Sequence, residues 1–427
     1  MSTNRRQFLR ASCALLLPAA FGAEKEIRLG IIGVGARGAV LLKSSLQLPN
    51  VRVTAVCDIQ EDRAFLGKKM VSDAQRGEPE LYWKGPEDYR RMLERTDLDA
   101  VLIATPQDQH GIQAVAAMRA GKHVASETPA AYNMEQLWEL VETKEKTGKR
   151  YMLLENYIYS RSHMQVLNMI RQGVFGELTY GECGYVHDTR YLTYEGEQLA
   201  WRGRVARDHR GDLYPTHGLG PMATWMGVNR GDRLVRMVSM DTGNLNLQSY
   251  AAEHFGKQSR FAQPGFFKKR DTTVTMIQTA KERMIVLKYE TTAPKPASAW
   301  DTLDGTQACY MGSAVGEFMH LASEGEASGW KPLAQFREKY EHPFWKLSAA
   351  EAQKTGHGGG DYFVMREFFD AIREDREPAV DVYDAATWTS VLPLSGKSIT
   401  GGNQPVEFPD FTRGKWKSRP NTDFMPR

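Results

Sequence analysis

Groups that can transfer protons are concentrated around one stretch of the chain, which reads Leu-Tyr-Pro-Thr-His-Gly-Leu-Gly-Pro from residue 213 to residue 221. Its histidine, His217, has a side chain that changes charge near neutral pH. Glu155 and Tyr185 lie in or next to predicted strands, and a carboxylate and a phenol complete a set suited to acid–base catalysis. Each has a structural alternative: His217 can cap a helix, Tyr185 can be a core aromatic, and Glu155 can form a salt bridge. We favour a functional interpretation because all three are expected around one cleft.

A glycine-rich turn near the start of the chain indicates a dinucleotide site. Gly33, Gly35 and Gly38 follow an apolar strand directly and open a predicted helix. Asp58 lies twenty residues beyond Gly38, at the end of the second predicted strand. The glycines allow the backbone to approach a pyrophosphate, and the aspartate can bind the adenosine ribose diol while repelling a 2′-phosphate. The sequence therefore predicts NAD rather than NADP, with a purely structural glycine turn as the alternative.

Two further loops follow predicted strands and are expected at the same edge of the sheet. Ligands of open parallel sheets bind outside the carboxyl ends of the strands. We therefore expect cofactor contacts from both loops, although His110 can also serve only as a helix cap. The residues concerned are Thr105, Gln107, Asp108, Gln109 and His110 in the first loop, and Glu127 and Thr128 in the second.

The first part of the chain predicts a doubly wound α/β sheet of the Rossmann kind. Short runs rich in Val, Ile, Leu and Ala alternate with helical periodicity, as expected for parallel strands buried on both faces. Asn133 is predicted to cap a helix over 134–146, and another helix is predicted over 112–119. The predicted strands are 27–32, 51–57, 100–104, 123–126 and 151–154.

Beyond residue 157 the pattern changes to alternating apolar and polar residues, which predicts an open antiparallel or mixed sheet. The last two strands, separated by 280–283, are predicted to form a hairpin. Later segments have helical periodicity, so the second part is predicted to be a C-terminal α/β domain that binds the substrate. The predicted strands are 177–187, 234–242, 273–279 and 284–289, and the predicted helices are 361–374 and 383–398.

The first residues have the pattern of an export signal. Arg5-Arg6, followed by Phe8-Leu9 and an apolar segment over 11–21, is typical of a twin-arginine signal peptide. We predict this signal over 1–22, an NAD-binding Rossmann domain over 23–156 and the substrate domain over 157–427, in a periplasmic or secreted protein. A chance basic start on a cytosolic protein is the alternative.

Composition narrows the possible partners further. Removal of the predicted signal takes three arginines and no acidic residue, so the formal net charge falls from +3 to zero, which argues against a nucleic-acid partner. No apolar run is long enough to span a bilayer. Cys57, Cys183 and Cys309 are widely spaced, and they predict neither a disulfide framework nor a metal site. We expect a small-molecule or glycan substrate.

Taken together, these motifs resemble the glucose–fructose oxidoreductase/inositol dehydrogenase (Gfo/Idh/MocA) superfamily and, within it, glycoside hydrolase family 109. The resemblance is based on the glycine turn, the stretch from residue 213 to residue 221, Trp201-Arg202, and the segments 184–190, 357–361 and 381–386. It implies that NAD is bound by Arg37, Gly38, Asp58, residues 107–110, Glu127, Thr128 and Asn156. It also implies a sugar site lined by Tyr185, Trp201, Arg202, Tyr214, Pro215, Thr216 and His217, and members of the superfamily often form homodimers.

Two departures from the superfamily's pattern are informative. A plain sugar dehydrogenase of this build is expected to carry an aspartate four residues before its catalytic histidine and a lysine before a proline of the second loop, but Leu213 and Thr128 stand there. Simple dehydrogenation is therefore disfavoured. Within family 109, Ala297 replaces a tyrosine that contacts the sugar, so the family's usual sugar is not assured.

The resemblance implies an NAD-dependent glycosidase, of which α-N-acetylgalactosaminidase is the founding activity. In this chemistry the sugar is oxidised at C3 for a time, which acidifies the proton at C2, so that the aglycone leaves by elimination. Water then adds, and C3 is reduced again. Our hypothesis makes Tyr185 the C2 base, with its phenol acidified by nearby cations. His217 handles the C3 hydroxyl proton or the leaving group, and Glu155 orients or polarises one of these groups.

Two other functions remain open at this point. One is an ordinary NAD(P)-dependent sugar oxidoreductase that releases its reduced cofactor. The other is a sensor that binds sugar and nucleotide without turnover. Accumulation of NADH in stoichiometric amounts distinguishes the first, and unchanged ligand binding in Tyr185→Phe distinguishes the second.

Overall fold

A computed structural model describes residues 25–298, 300–421 and 424. The predicted signal peptide over 1–22 lies outside the described residues. Among these residues, Cys57, Cys183 and Cys309 are free thiols. None of the described helices combines the length and the apolar composition needed to cross a membrane.

The first part of the chain forms a parallel sheet of six strands in the order β3-β2-β1-β4-β5-β6. The strand order reverses between β1 and β4, and this is where sheets of this type bind ligands. The strands are β1 (Ile27–Ile32), β2 (Val51–Cys57), β3 (Glu80–Tyr82), β4 (Ala100–Ile103), β5 (His123–Ser126) and β6 (Tyr151–Leu153). The helices are α1 (Ala36–Leu46), α2 (Glu61–Asp73), α3 (Asp88–Leu93), α4 (His110–Arg119) and α5 (Met134–Thr147).

The five predicted strands of this sheet are confirmed to within one residue, and Asn133 caps α5 by accepting from the Gln136 amide. The edge strand β3 is missing from the prediction. It has three residues, of which only Tyr82 is buried, so it lacks an apolar run that could be recognised.

The second part forms a sheet of nine strands, in the order β16-β15-β14-β13-β7-β12-β11-β10-β17. Only the β7–β12 pair is parallel, so the sheet is mixed, as predicted. Its strands are β7 (Leu178–Val186), β10 (Leu234–Asp241), β11 (Thr272–Thr279), β12 (Met284–Glu290), β13 (Asp301–Gly305), β14 (Ala308–Ser313), β15 (Gly316–Leu321), β16 (Lys331–Pro332) and β17 (Val406–Glu407). A separate two-stranded ribbon pairs β8 (Tyr194–Glu195) with β9 (Gln198–Leu199).

The predicted hairpin is confirmed as β11–β12, whereas β13 to β16 are not anticipated by the sequence pattern. Some helices of this part pack on the mixed sheet and others on the first part of the chain; for example, α8 packs on β7, α13 contacts β6, and α12 contacts α1. They are α6 (Arg161–Arg171), α7 (Trp201–Asp208), α8 (Thr216–Trp225), α9 (Leu245–Phe255), α10 (Arg337–Tyr340), α11 (Pro343–Ala352), α12 (Gly360–Arg373), α13 (Val382–Thr389) and α14 (Val391–Thr400).

The prediction of a single helix over 383–398 is wrong. Two helices, α13 and α14, occupy this segment and are separated at Ser390. Pro393 explains the break, because it has no amide hydrogen to donate to the carbonyl of Thr389 and its ring crowds that carbonyl.

Candidate active site

The glycine turn between β1 and α1 leaves space for a ligand. Gly33 has a φ of +91°, and a Cβ there would lie 2.7 Å from the carbonyl oxygen of Ala104. At Gly35, by contrast, the nearest atom to a Cβ would be Arg63 Nη1, at 3.6 Å. Gly35 also begins α1 without a side-chain cap, so the first amides of this helix are available to an anion. The turn therefore fits the pyrophosphate of a dinucleotide.

Asp58 follows β2 and lies beside this turn. One carboxylate oxygen accepts from the amide of Val34 at 2.7 Å, and the other accepts from the amide of Gln60 at 2.9 Å. The two hydrogen bonds orient the carboxylate at the edge of the crevice, which is where the predicted ribose contact requires it.

Arg37 connects the two halves of the molecule across this crevice. Its Nε donates to Glu127 Oε1 at 2.7 Å, and its Nη1 donates to Asp361 Oδ2 at 2.8 Å. The second oxygen of Asp361 accepts from Asn156 Nδ2 at 2.9 Å. Although burial opposes it, the hydrogen bonds from His357 and Arg37 hold the pKa of Asp361 well below its usual range. Two predicted cofactor residues, Arg37 and Asn156, thus meet at a carboxylate that sequence reasoning did not select, and Arg37 connects it to a third, Glu127.

The loops after β4 and β5 are joined by His110. Its Nδ1 lies 2.8 Å from the carbonyl oxygen of Pro129, and its Nε2 lies 2.8 Å from that of Thr105. His110 therefore lies between the two loops, and its neutral imidazole can donate its one N–H to one of these carbonyls. In the same loop Asp108 is exposed and accepts a hydrogen bond from the side chain of Gln109, whereas Gln107 is buried.

A carboxylate–imidazole pair lies where α8 begins. His217 is in the first turn of α8. Its Nδ1 is 2.7 Å from Oε1 of Glu155, which lies two residues after the end of β6. Glu155 is fully buried, and its second oxygen has no hydrogen-bond partner within the described residues. The ring of Tyr157 stacks on His217 at 4.4 Å between centroids. Because Nδ1 faces the carboxylate, Nε2 is the nitrogen that can exchange protons with a ligand.

Tyr185, in β7, packs edge-on against this imidazole, with 5.2 Å between the ring centroids. The ring of Tyr214 is tilted by 32° against that of Tyr185, with 5.3 Å between the centroids, and its hydroxyl oxygen accepts from Thr128 Oγ1 at 2.9 Å. Burial raises the pKa of the Tyr185 phenol, and the charge of Arg202 offsets this only in part. The expectation of an acidified phenol is therefore wrong for this structure.

One pocket brings Tyr185 and Tyr214 together with the loop after β4, whereas His217 and Glu155 are not among its lining residues. It is bordered by Gln107 from the loop after β4 and by Tyr185, and the other lining residues include Trp201, Arg202, Leu213, Tyr214, Lys269, Tyr289 and Thr291. The Arg202 guanidinium lies 4.2 Å from the centroid of the Trp201 ring, so the two side chains act as one surface. Pro215 and Thr216 are buried where α8 begins and do not border this pocket. Ala297 is exposed in the loop after β12.

The sequence did not indicate two buried titratable residues here: Lys269 lines the pocket, and Asp212 precedes the lining residue Leu213. Burial raises the pKa of Asp212 to about 7, and its Oδ1 accepts from the amide of Tyr214 at 2.9 Å. Burial also lowers the pKa of Lys269 to about 7. Neither residue belongs to a recognisable motif: Lys269 is one of two adjacent lysines, and only the fold shows that it is the buried one.

Residues 27–155 match the NAD-binding Rossmann fold of the oxidoreductase family, and residues 159–418 match the C-terminal domain of glycosyl hydrolase 109. A glycosyl hydrolase family 109 protein of Saccharopolyspora erythraea is 38% identical over 405 residues, which cover 94% of this chain and 87% of the relative. Another from Stenotrophomonas maltophilia is 35% identical over 442 residues, covering 97% of each.

Among solved structures, levoglucosan dehydrogenase in complex with NADH superposes with a TM-score of 0.71 at 18% identity, covering 90% of this chain and all of that one. The fold and the crevice thus define an NAD-binding enzyme of the Gfo/Idh/MocA oxidoreductase superfamily, and the predicted fold class and cofactor are confirmed. Within this superfamily, the chain belongs to glycosyl hydrolase family 109.

Proposed function

We propose that this protein hydrolyses a glycosidic bond, with an N-acetylgalactosaminide as the first candidate substrate, by transient oxidation of the sugar at C3. The observation that carries the proposal is the Glu155–His217 pair, which lies beside Tyr185 in a chain of family 109. The glycine turn and Asp58 would hold NAD, which would supply a hydride acceptor for C3 of the sugar and the donor for its later reduction.

His217 is proposed to accept the C3 hydroxyl proton at Nε2 and to give it back when C3 is reduced. Glu155 favours this step because a buried carboxylate stabilises a positive charge on the imidazole bonded to it. The second oxygen of Glu155 has no hydrogen-bond partner within the described residues, and its first oxygen accepts from the Tyr157 amide, so a protonated His217 would be the counter-charge at hydrogen-bond distance.

Tyr185 is proposed to remove the C2 proton once C3 is a ketone. A phenol does so as the phenolate. Burial raises the pKa of Tyr185 and Arg202 offsets this only in part, so the proposal depends on the C3 ketone making the C2 proton acidic enough for this base. Loss of the C2 proton breaks the bond from C1 to the aglycone oxygen. Water then supplies hydroxide to C1 and a proton to the aglycone, and Tyr185 returns its proton to C2. The sum of these steps is hydrolysis without net oxidation.

The test uses the purified protein with NAD, nitrophenyl glycosides of both anomers, and heavy water. Transient oxidation predicts release of nitrophenol, deuterium at C2 of the sugar product and no accumulation of NADH. NADH formed in proportion to sugar, without nitrophenol, would identify a dehydrogenase instead. If neither the wild type nor Tyr185→Phe cleaves or oxidises any of these glycosides, and Tyr185→Phe binds sugar as tightly as the wild type, the sensor alternative is supported.

We also propose export by the twin-arginine route, on the basis of Arg5-Arg6 and the apolar segment behind them. This route carries folded proteins, so NAD can be bound before export. In a bacterial host, replacement of both arginines by lysine should move the protein from the periplasmic to the cytoplasmic fraction. An unchanged distribution would contradict the proposal.

A further inference from the structure

The proposed catalytic pair, Glu155 and His217, is accompanied by a tyrosine that contacts both of its members. Tyr157 lies in a short 3₁₀ helix over Asn156–Tyr159, against which α8 packs. Its amide donates to Glu155 Oε1 at 3.2 Å, and the same oxygen lies 2.7 Å from Nδ1 of His217. The backbone of Tyr157 therefore helps to orient the carboxylate.

The ring of Tyr157 restrains the imidazole of His217. The two rings are stacked, with 4.4 Å between the centroids and 24° between the planes. A stacked ring leaves an imidazole little room to turn about its Cβ–Cγ bond, because turning would drive its atoms into that ring. Tyr185 meets the same imidazole at an angle of 63°, with 5.2 Å between the centroids, and limits its movement further. Nδ1 of His217 is thereby kept directed at Glu155.

Tyr157 is itself held in place by a buried histidine. Its carbonyl oxygen lies 2.7 Å from Nδ1 of His163, in α6, and Nε2 of His163 lies 3.0 Å from Oδ2 of Asp301, in β13. Although burial opposes it, the hydrogen bond and the charge of Asp301 raise the pKa of His163, which favours the ring with a proton on each nitrogen. In that form one N–H donates to Tyr157 and the other to Asp301. The mixed sheet thus fixes Tyr157 through an imidazole.

The phenol of Tyr157 is not suited to transfer a proton itself. Burial raises its pKa well above the usual range, so it stays neutral near neutral pH. Tyr157 is also not among the residues that line the pocket beside Tyr185. It contacts the catalytic pair through its amide and its ring face rather than through its hydroxyl. Its influence on a reaction therefore passes through Glu155 and His217.

We propose that Tyr157 is a positioning residue, which fixes the plane of the His217 imidazole and keeps its Nδ1 directed at Glu155. The inference rests on the proposed glycosidase function and adds a residue that acts through the catalytic pair. Proton transfer depends on the distance and the direction between the two heavy atoms. An imidazole that turns freely spends part of its time with neither nitrogen correctly placed, so a fixed plane increases the rate of the chemical step.

The first test compares Tyr157→Leu, which removes the ring, with Tyr157→Phe, which keeps it. The protein is loaded with NAD and assayed with the nitrophenyl glycoside that the wild type cleaves. Loss of the stacked ring should lower kcat about tenfold and leave KM within about twofold, because alignment matters in the transition state rather than in sugar binding. Tyr157→Phe should restore most of the activity. An unchanged kcat in Tyr157→Leu, or a loss that arises from KM, would overturn the inference.

Tyr250→Leu is the matched control, because Tyr250 stacks on another histidine. In α9 its ring lies 4.0 Å from that of the exposed His254, with 27° between the planes. This variant should have the kinetics of the wild type, and an equal loss of kcat in both leucine variants would contradict a specific role of Tyr157. Thermal unfolding shows whether each variant is folded. Tyr157→Met, which fills the space without a planar face, replaces Tyr157→Leu if the latter does not fold.

Nitrogen NMR of histidine-labelled protein separates this inference from the function on which it rests, because it needs no turnover. The nitrogen shifts of a neutral imidazole report which nitrogen carries the proton, and His217→Gln identifies the signals of His217. We expect the proton on Nδ1 in the wild type and Tyr157→Phe, but shared between both nitrogens in Tyr157→Leu. This result without cleavage of any glycoside supports the positioning role and contradicts the glycosidase. Cleavage by the wild type, with unchanged His217 signals in Tyr157→Leu, supports the glycosidase and contradicts the positioning role.

Discussion

Glu155 Oε1 lies 2.7 Å from Nδ1 of His217, so the histidine of the second half takes its carboxylate from the end of a strand in the first sheet. The position four residues before His217, where a plain dehydrogenase is expected to carry an aspartate, is Leu213, which is buried. The acid–base pair is therefore present, but its two members come from different parts of the fold. Any shift between the two halves changes this distance.

Replacing Glu155 by Gln tests this pair directly. The amide keeps the shape of the side chain but removes the charge that stabilises a protonated His217, so kcat should fall about a hundredfold with little change in sugar binding. Steady-state kinetics and calorimetry measure the two effects. A near-normal kcat would show that Glu155 is only structural.

Gly220 allows Glu155 to reach His217. A Cβ at Gly220 would lie 2.8 Å from Glu155 Cγ, so Gly220→Ala should displace the carboxylate, lower the activity strongly and destabilise the fold by about 1–3 kcal/mol. Gly243→Ala is the matched control, because a Cβ there meets nothing within 4 Å. Kinetics and thermal unfolding of both variants give the comparison, and equal activities would contradict the expected displacement.

Asp361 is expected to contribute to stability through its pairing with Arg37. Breaking a pair that contains a buried charge lowers the free energy of unfolding by about 3–5 kcal/mol. Because Arg37 is partly exposed, we expect the loss in Asp361→Asn to lie at or below the lower end of this range. Because the pKa of Asp361 is lowered in the folded protein, its contribution is complete above the unfolded pKa and is lost as the pH falls through the folded one. Urea unfolding at several pH values should show that the difference in free energy of unfolding between Asp361→Asn and the wild type becomes smaller in acid.

The contribution of Asp212 to stability should depend on pH in the opposite direction. Its folded pKa of about 7 lies above the ordinary value of 3.8, so the wild type loses stability as the pH rises between these values. Asp212→Asn cannot ionise and should gain stability relative to wild type over this window. A constant difference in melting temperature from pH 4 to pH 8 would argue against a buried, ionisable Asp212.

Local patterns determined much of the first half. Strand β1, the glycine turn, α1 and Asp58 follow one another within a few dozen residues, and their order is dictated by backbone conformation and apolar periodicity. The same holds for the β11–β12 hairpin, whose turn is local. Short or irregular strands such as β3 and β16 could not be recognised, because they have too few buried side chains to form a period.

The sequence by itself determined the two-part α/β architecture, the NAD crevice and the identity of His217, Tyr185 and Glu155 as candidates, because each depends on residue type and nearby spacing. Only the tertiary structure decided which groups act together. Glu155 and His217 are 62 residues apart, and Arg37 and Asp361 are 324 apart, so no spacing rule links them. It also decided that Lys269 is buried at the pocket while Lys268 is exposed, because burial and charge pairing arise from packing between distant segments.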